Sequence, residues 1–85
     1  MIVTNAQNYK VTTENGNERV VTFTETDHPT AYGNGKAVVV ENHGNGERNF
    51  IDCRYISGYK FETVCENWIK DYYGENLLTF SKIEV

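Results

Sequence analysis

The chain has 85 residues, of which 39% are hydrophobic and 13% aromatic, and its formal net charge is −4. This length allows a single domain, residues 1–85, and the composition is typical of a folded globule rather than a disordered segment. The negative charge argues against direct nucleic-acid binding, because domains that grip phosphates are usually basic.

Targeting signals and a disulfide framework are not expected. The first eight residues contain neither a basic segment nor a long apolar one, and no stretch approaches the roughly 20 apolar residues of a membrane span. We therefore expect a cytoplasmic protein without membrane contact. Cys53 and Cys65 match no common zinc or redox motif, and we expect both to be buried free thiols.

Strands joined by tight turns are predicted in the first two-thirds of the chain. Asn and Gly tolerate the positive φ of hairpin turns, so an Asn-Gly pair between β-rich runs is a strong hairpin signal. Three such pairs occur, at Asn15-Gly16, Asn34-Gly35 and Asn45-Gly46.

The first hairpin is predicted to join Tyr9–Thr13 to Glu18–Thr26. A three-residue loop, Asn15–Asn17, sets Val11 opposite Val21 and gathers the apolar side chains on one face of the pair. The alternate face of the second strand is then half polar and suited to water.

The second hairpin is predicted to join Lys36–Asn42 to Glu47–Tyr55 through a two-residue turn, Asn45-Gly46. This register sets Val40 opposite Ile51. Between the two hairpins the proline and glycines of residues 27–35 predict the longest irregular loop of the chain.

One amphipathic helix is predicted over residues 61–73. Apolar side chains recur there at i, i+3, i+4, i+7, i+8 and i+11, which places them on one helical face. They are Phe61, Val64, Cys65, Trp68, Ile69 and Tyr72. Gly74 stands where a glycine commonly ends a helix, and a last strand is predicted over residues 76–85.

The order β-β-β-β-α-β predicts an α+β fold, in which about five strands form a mainly antiparallel sheet with the helix packed on one face. Short links around the helix predict that the last strand runs parallel to the fourth through a right-handed crossover. The order of the strands within the sheet does not follow from the pattern.

Tyrosines outside the predicted core are the candidate binding residues, because tyrosine supplies a large contact area at low entropic cost. Tyr32 lies in the predicted loop with Asp27 and His28, whereas Tyr59 precedes the helix and Tyr73 ends it. We predict that these five residues contact a partner.

The face of the sheet opposite the helix is a second candidate surface. Val20, Val39 and Phe50 are predicted to point outward there, which would suit self-association as a homodimer.

No catalytic, metal or cofactor site is predicted. His28 and His43 lack further ligands at suitable spacing, and no nucleophile can be placed beside them. The short glycine pairs do not form a phosphate-binding loop.

The chain resembles the small acidic accessory proteins of bacteriophages, including anti-CRISPR and other anti-defence inhibitors. The resemblance is one of size, acidity and β-then-α layout, and three stretches carry it: Asn15-Gly16-Asn17, Gly44-Asn45-Gly46 and the segment from Trp68 to Asn76. It implies a non-enzymatic inhibitor that occupies a surface of a host nucleic-acid-handling protein. The alternative hypothesis is a homo-oligomeric or ligand-sequestering module built on the outer sheet face.

Overall fold

The computed structural model describes residues 3–30, 33–53, 56 and 58–84. Within these ranges one sheet and one helix form the fold: β1 Val3–Thr13, β2 Glu18–Thr30, β3 Gly33–Asn42, β4 Glu47–Asp52, α1 Phe61–Tyr73 and β5 Leu77–Ile83. A short 3-10 turn, Gly74–Asn76, joins α1 to β5. The predicted α+β class with a five-stranded antiparallel sheet is confirmed.

The strand order is β4-β3-β2-β1-β5, and every neighbouring pair is antiparallel. β4 and β5 therefore run in the same direction, as predicted, but they form the two opposite edges of the sheet. The connection between them has to cross the whole sheet, and α1 makes that crossing. In the ranges given above, α1 thereby covers one face of the sheet and no helix covers the other.

The register of the first hairpin differs from the prediction. Val11 lies opposite Arg19, so the predicted pairing of Val11 with Val21 is wrong by two residues. The loop consists of residues 14–16, and Gly16 has a φ of 79° at its third position. A three-residue loop commonly needs the left-handed conformation there, which favours glycine and explains the shift.

The second hairpin is displaced in the same way. Val40 lies opposite Asn49 rather than Ile51, and the loop spans the four residues 43–46 instead of two. Gly46, with a φ of 73°, occupies the last loop position. Both registers are wrong by two residues. Because side chains alternate with a period of two, the described residues of these paired strands still point to the predicted faces.

The predicted irregular loop over residues 27–35 is wrong. β2 and β3 continue to pair there, and the last described pair joins Thr30 to Gly33. Among the described residues, β1 pairs with β2 only as far as Thr26 and β4 pairs with β3 only as far as Ala37. The strands are therefore open on their outer sides at Pro29, where a proline is tolerated because no ladder hydrogen bond is lost. We call this two-stranded extension, residues 27–30 and 33–36, the arm.

The core lies between α1 and the sheet, as the apolar stripe predicts. Phe23 is fully buried at its centre, and its ring makes edge-to-face contacts with Tyr9 at 5.5 Å and with Trp68 at 5.7 Å. The other fully buried side chains from α1 are Cys65 and Ile69. Burial of one large apolar side chain contributes about 1.5–3 kcal/mol, so this layer is the main source of stability.

The ends of α1 are set by backbone contacts. Gly74 has a φ of 54° and donates its N–H to the carbonyl of Lys70, so the predicted glycine terminator is confirmed. At the start Lys60 is the N-cap residue, without a side-chain hydrogen bond to the helix.

Replacement of Gly16 by alanine tests the loop. We expect Gly16→Ala to lower the free energy of unfolding by about 1–2 kcal/mol, because an L-residue resists the left-handed conformation. No atom lies within 4 Å of the added Cβ, so urea denaturation would report the backbone effect alone. Gly16→Asn is the control and should cost less, since asparagine tolerates this conformation. An alanine variant as stable as the natural chain would contradict this loop geometry.

Candidate functional site

The arm begins at a cross-strand ion pair. Asp27 lies opposite Lys36, and 2.7 Å separates the Lys36 Nζ from the Asp27 Oδ1. The hydrogen bond and the charge of Asp27 raise the pKa of Lys36. The backbone of His28 pairs with Gly35 in the next position. Two of the predicted binding residues, Asp27 and His28, therefore lie side by side on β2 rather than in a loop.

Tyr32, the third predicted binding residue of this segment, lies outside the described residues. Its position in the chain is between Thr30 and Gly33, which form the last described pair of the arm. The predicted role of Tyr32 in partner contact therefore stays a prediction.

A buried carboxylate lies at the root of the arm. Glu25 is only 4% exposed, and its oxygens accept hydrogen bonds from the Thr4 hydroxyl at 2.6 Å, from Asn5 Nδ2 at 2.8 Å and from the Tyr59 hydroxyl. Burial by itself raises the pKa of Glu25, but these three hydrogen bonds together with the charge of Lys36 outweigh it, so the pKa lies below its ordinary value. Glu25 is thus held as an ionised group.

Tyr59 serves the interior of the protein as well as being a predicted binding residue. Its ring is half-buried and packs against the core, and burial followed by the bond to Glu25 raises the pKa of its hydroxyl. This bond ties the segment before α1 to β2 two residues before Asp27. Tyr59 therefore positions the root of the arm.

Tyr73 lies at the other end of α1, away from the arm. Its half-buried hydroxyl accepts a hydrogen bond from the Nδ2 of the buried residue Asn42 at 2.9 Å. Its neighbour Tyr72, which the sequence pattern places in the apolar stripe, is instead 41% exposed. The Tyr72 ring stacks on Trp68 at 4.6 Å, and its hydroxyl donates to Glu47 Oε2 at 2.5 Å.

The predicted self-association residues do not form one patch on the outer face. Val39 lies directly opposite Phe50, which is 53% exposed. Val20 lies elsewhere, because Thr22 and its partner Glu41 separate it from that pair along β2 and β3. The structure thus brings two of the three residues together.

On the outer face a hydroxyl, an imidazole and a carboxylate lie next to one another in space, in that order. The Thr22 hydroxyl lies 2.7 Å from His43 Nε2 and 2.5 Å from Asn8 Oδ1, and His43 Nδ1 lies 3.8 Å from Glu41 Oε1. This order is that of a hydrolytic triad. The last distance exceeds a hydrogen bond, however, and the His43 and Glu41 side chains are open to solvent. We interpret the network as one that orders the turn after β3.

Both cysteines are buried and free of a disulfide, as predicted. Burial raises the pKa of Cys65 to about 12 and also raises that of Cys53. Neither thiol has the thiolate character that nucleophilic chemistry requires. Among the residues that the structure describes, no group of three or more His, Cys, Asp or Glu side chains is placed to hold a metal ion.

Comparisons with known proteins add no assignment. No protein-family model matches the chain, and no curated protein or solved structure matches it either. In the described part of the chain, no helix has the length and apolar character needed to cross a membrane. The arm is the feature of this geometry that the packing of the core does not explain.

The Glu25–Tyr59 contact predicts a pH-dependent stability. Because the pKa of Glu25 is lowered in the folded state, its contribution is present above the ordinary glutamate pKa of about 4.3 and is lost as the pH falls below it. Tyr59→Phe removes a donor to this carboxylate and should lower the free energy of unfolding by about 1–3 kcal/mol at pH 7. Urea denaturation between pH 7 and pH 3 should show this deficit shrinking.

Tyr73→Phe is the matched control at the other end of α1. It removes a hydroxyl that accepts from a neutral amide, so its cost should be about 0.5–1.5 kcal/mol and should not change with pH. A Tyr59→Phe deficit that is equally constant from pH 7 to pH 3 would contradict an ionised Glu25 as its partner.

Proposed function

We propose that this chain is a non-enzymatic binding protein whose arm inserts into a surface of a larger protein. The observation that carries the proposal is the continuation of β2 and β3 for four residue pairs, from Asp27–Lys36 to Thr30–Gly33. Neither β1 nor β4 reaches these pairs in the described ranges. Paired strands that are open on both sides can add to a partner's sheet or enter a groove.

The root of the arm supports the same role. Glu25, Tyr59 and the Asp27–Lys36 ion pair hold the strands where they leave the covered sheet. A binding element that is ordered before contact loses less conformational entropy on association than a loop of the same length. The fixed root therefore favours a preorganised contact through Asp27 and His28, and we propose Tyr32 as a further contact residue.

For the partner, we propose a host protein that handles nucleic acid, with the chain acting as an anti-defence inhibitor of phage or mobile-element origin. The net charge of −4 suits a basic surface such as a nucleic-acid channel. The acidic residues are interspersed with lysines and arginines, which favours insertion of the arm over imitation of a phosphate backbone. Direct binding of this chain to nucleic acid is not expected.

Shortening of the arm tests the proposal. In one variant residues 28–35 are replaced by Asn-Gly, which can close a two-residue hairpin turn; the other variant is Tyr32→Ala. Affinity capture from bacterial lysate with mass spectrometry should recover a partner with the natural chain and lose it with the shortened arm. Tyr32→Ala should reduce recovery, and both variants should keep the melting temperature of the natural chain.

Leu78→Ala is the control for this experiment, because Leu78 is exposed on β5 at the far edge of the sheet. It should leave recovery of the same partner unchanged. Equal recovery with the shortened arm would remove the arm from the binding surface. Melting temperatures measured by circular dichroism distinguish a variant that is folded but does not bind from one that does not bind because it is unfolded.

A further inference from the structure

The two edge strands differ in their protection against pairing with another chain. β5 contains a register shift opposite Thr12 and Thr13, and its Lys82 lies on the helix-covered face, where its Nζ is 2.8 Å from Glu62 Oε1. Bulges and inward-pointing charges block edge-to-edge pairing. β4 pairs with β3 in one uninterrupted register and contains neither lysine nor proline. It is the less protected edge.

Alternate residues of β4 direct their backbone N–H and C=O groups toward the open side of the strand. His43 donates its N–H to the Val20 carbonyl at 3.0 Å, so even-numbered residues of β3 direct their backbone groups to β4. The β4 residues opposite them are odd-numbered. Arg48, Phe50 and Asp52 consequently direct their backbone groups away from β3.

A second β4 strand, placed antiparallel about a two-fold axis at Phe50, is complementary to the first. Phe50 then faces Phe50 of the copy, and Arg48 faces Asp52 of the copy on each side of the axis. Opposite charges directly across an antiparallel pair stabilise it. Within one subunit Arg48 Nη2 lies 3.6 Å from Glu41 Oε2, and an exposed ion pair of this kind can exchange partners at little cost.

An apolar groove adds to the same surface. It lies between α1 and β4 and is lined by Ile51, Ile56 and Trp68, among other residues, with Ile56 39% exposed. The described lining residues place the groove beside β4, on the helix-covered face at this edge of the sheet. The two-fold axis keeps both helices on one face and brings the two grooves together, which removes their apolar surface from water.

We propose that β4 pairs with β4 of a second copy of this chain, forming a homodimer whose sheet runs through both subunits. This interface uses the edge of the sheet, whereas the sequence-based alternative placed self-association on its outer face. It is independent of the arm's partner. The dimer would carry two arms that point in opposite directions and could hold two partner sites at once.

Charge reversal across the axis tests the interface. Sedimentation equilibrium should show a dimer for the natural chain, and Arg48→Glu or Asp52→Arg alone should raise the dimer dissociation constant at least about tenfold by opposing like charges. The double variant Arg48→Glu with Asp52→Arg restores the opposite charges across the axis and should return the constant to within about threefold of the natural value. Circular dichroism checks that each variant is folded. If Arg48→Glu does not fold, Asp52→Arg alone is used to test the interface.

Thr79→Glu, on the exposed opposite edge, is the control and should leave the dimer intact. A natural chain that stays monomeric up to its solubility limit would overturn the proposal. So would a dimer that neither single reversal weakens. Dissociation by Val20→Asp, with both charge reversals inert, would place the contact on the outer face and overturn the edge interface as well.

Discussion

The packing of α1 across the sheet is the contact on which the other surfaces of this protein depend. β4 and β5 lie at opposite edges and run in the same direction, so the chain between them must cross one face. Phe23 meets that crossing helix at Trp68 and meets β1 at Tyr9. The described residues contain one α-helix, and within those ranges it leaves the outer face and the arm uncovered.

Two tyrosines attach the ends of the helix to the sheet with different chemistry. Tyr59 donates to the buried carboxylate of Glu25 near the arm, whereas Tyr73 accepts from the amide of Asn42 at the opposite end. The Tyr59 contact is stronger and depends on pH because its partner is charged, whereas the Tyr73 contact does not depend on pH because its partner is neutral. The stronger attachment stands where the arm leaves the covered part of the sheet.

The two proposed contacts use separate parts of the fold. The arm extends beyond the ends of the flanking strands, and the proposed self-contact uses the edge of β4. Neither contact covers the other, so one subunit can make both. The division follows from the unequal strand lengths, since β2 and β3 run on where β4 has already ended.

Periodic patterns in the sequence were sufficient for the elements that depend on local geometry. The apolar stripe of residues 61–73 predicted the helix and its buried face, because side chains three and four apart share a side of a helix. Tyr72 is the exception, since it reaches past the stripe to Glu47. The alternation along the two hairpins likewise predicted the faces of their described core residues, even where the register was wrong by two.

The loop conformations decided the hairpin registers, and the tertiary structure decided the arm and the surroundings of Glu25. The hairpin registers depended on which loop position needs a left-handed glycine, as Gly16 shows. The arm formed from a segment with loop-like composition because β2 and β3 support each other there. Glu25 became a buried anchor only because Thr4, Asn5 and Tyr59 converge on it from other elements. Local residue pattern carries no information on such convergence, since it arises from the packing of the whole chain.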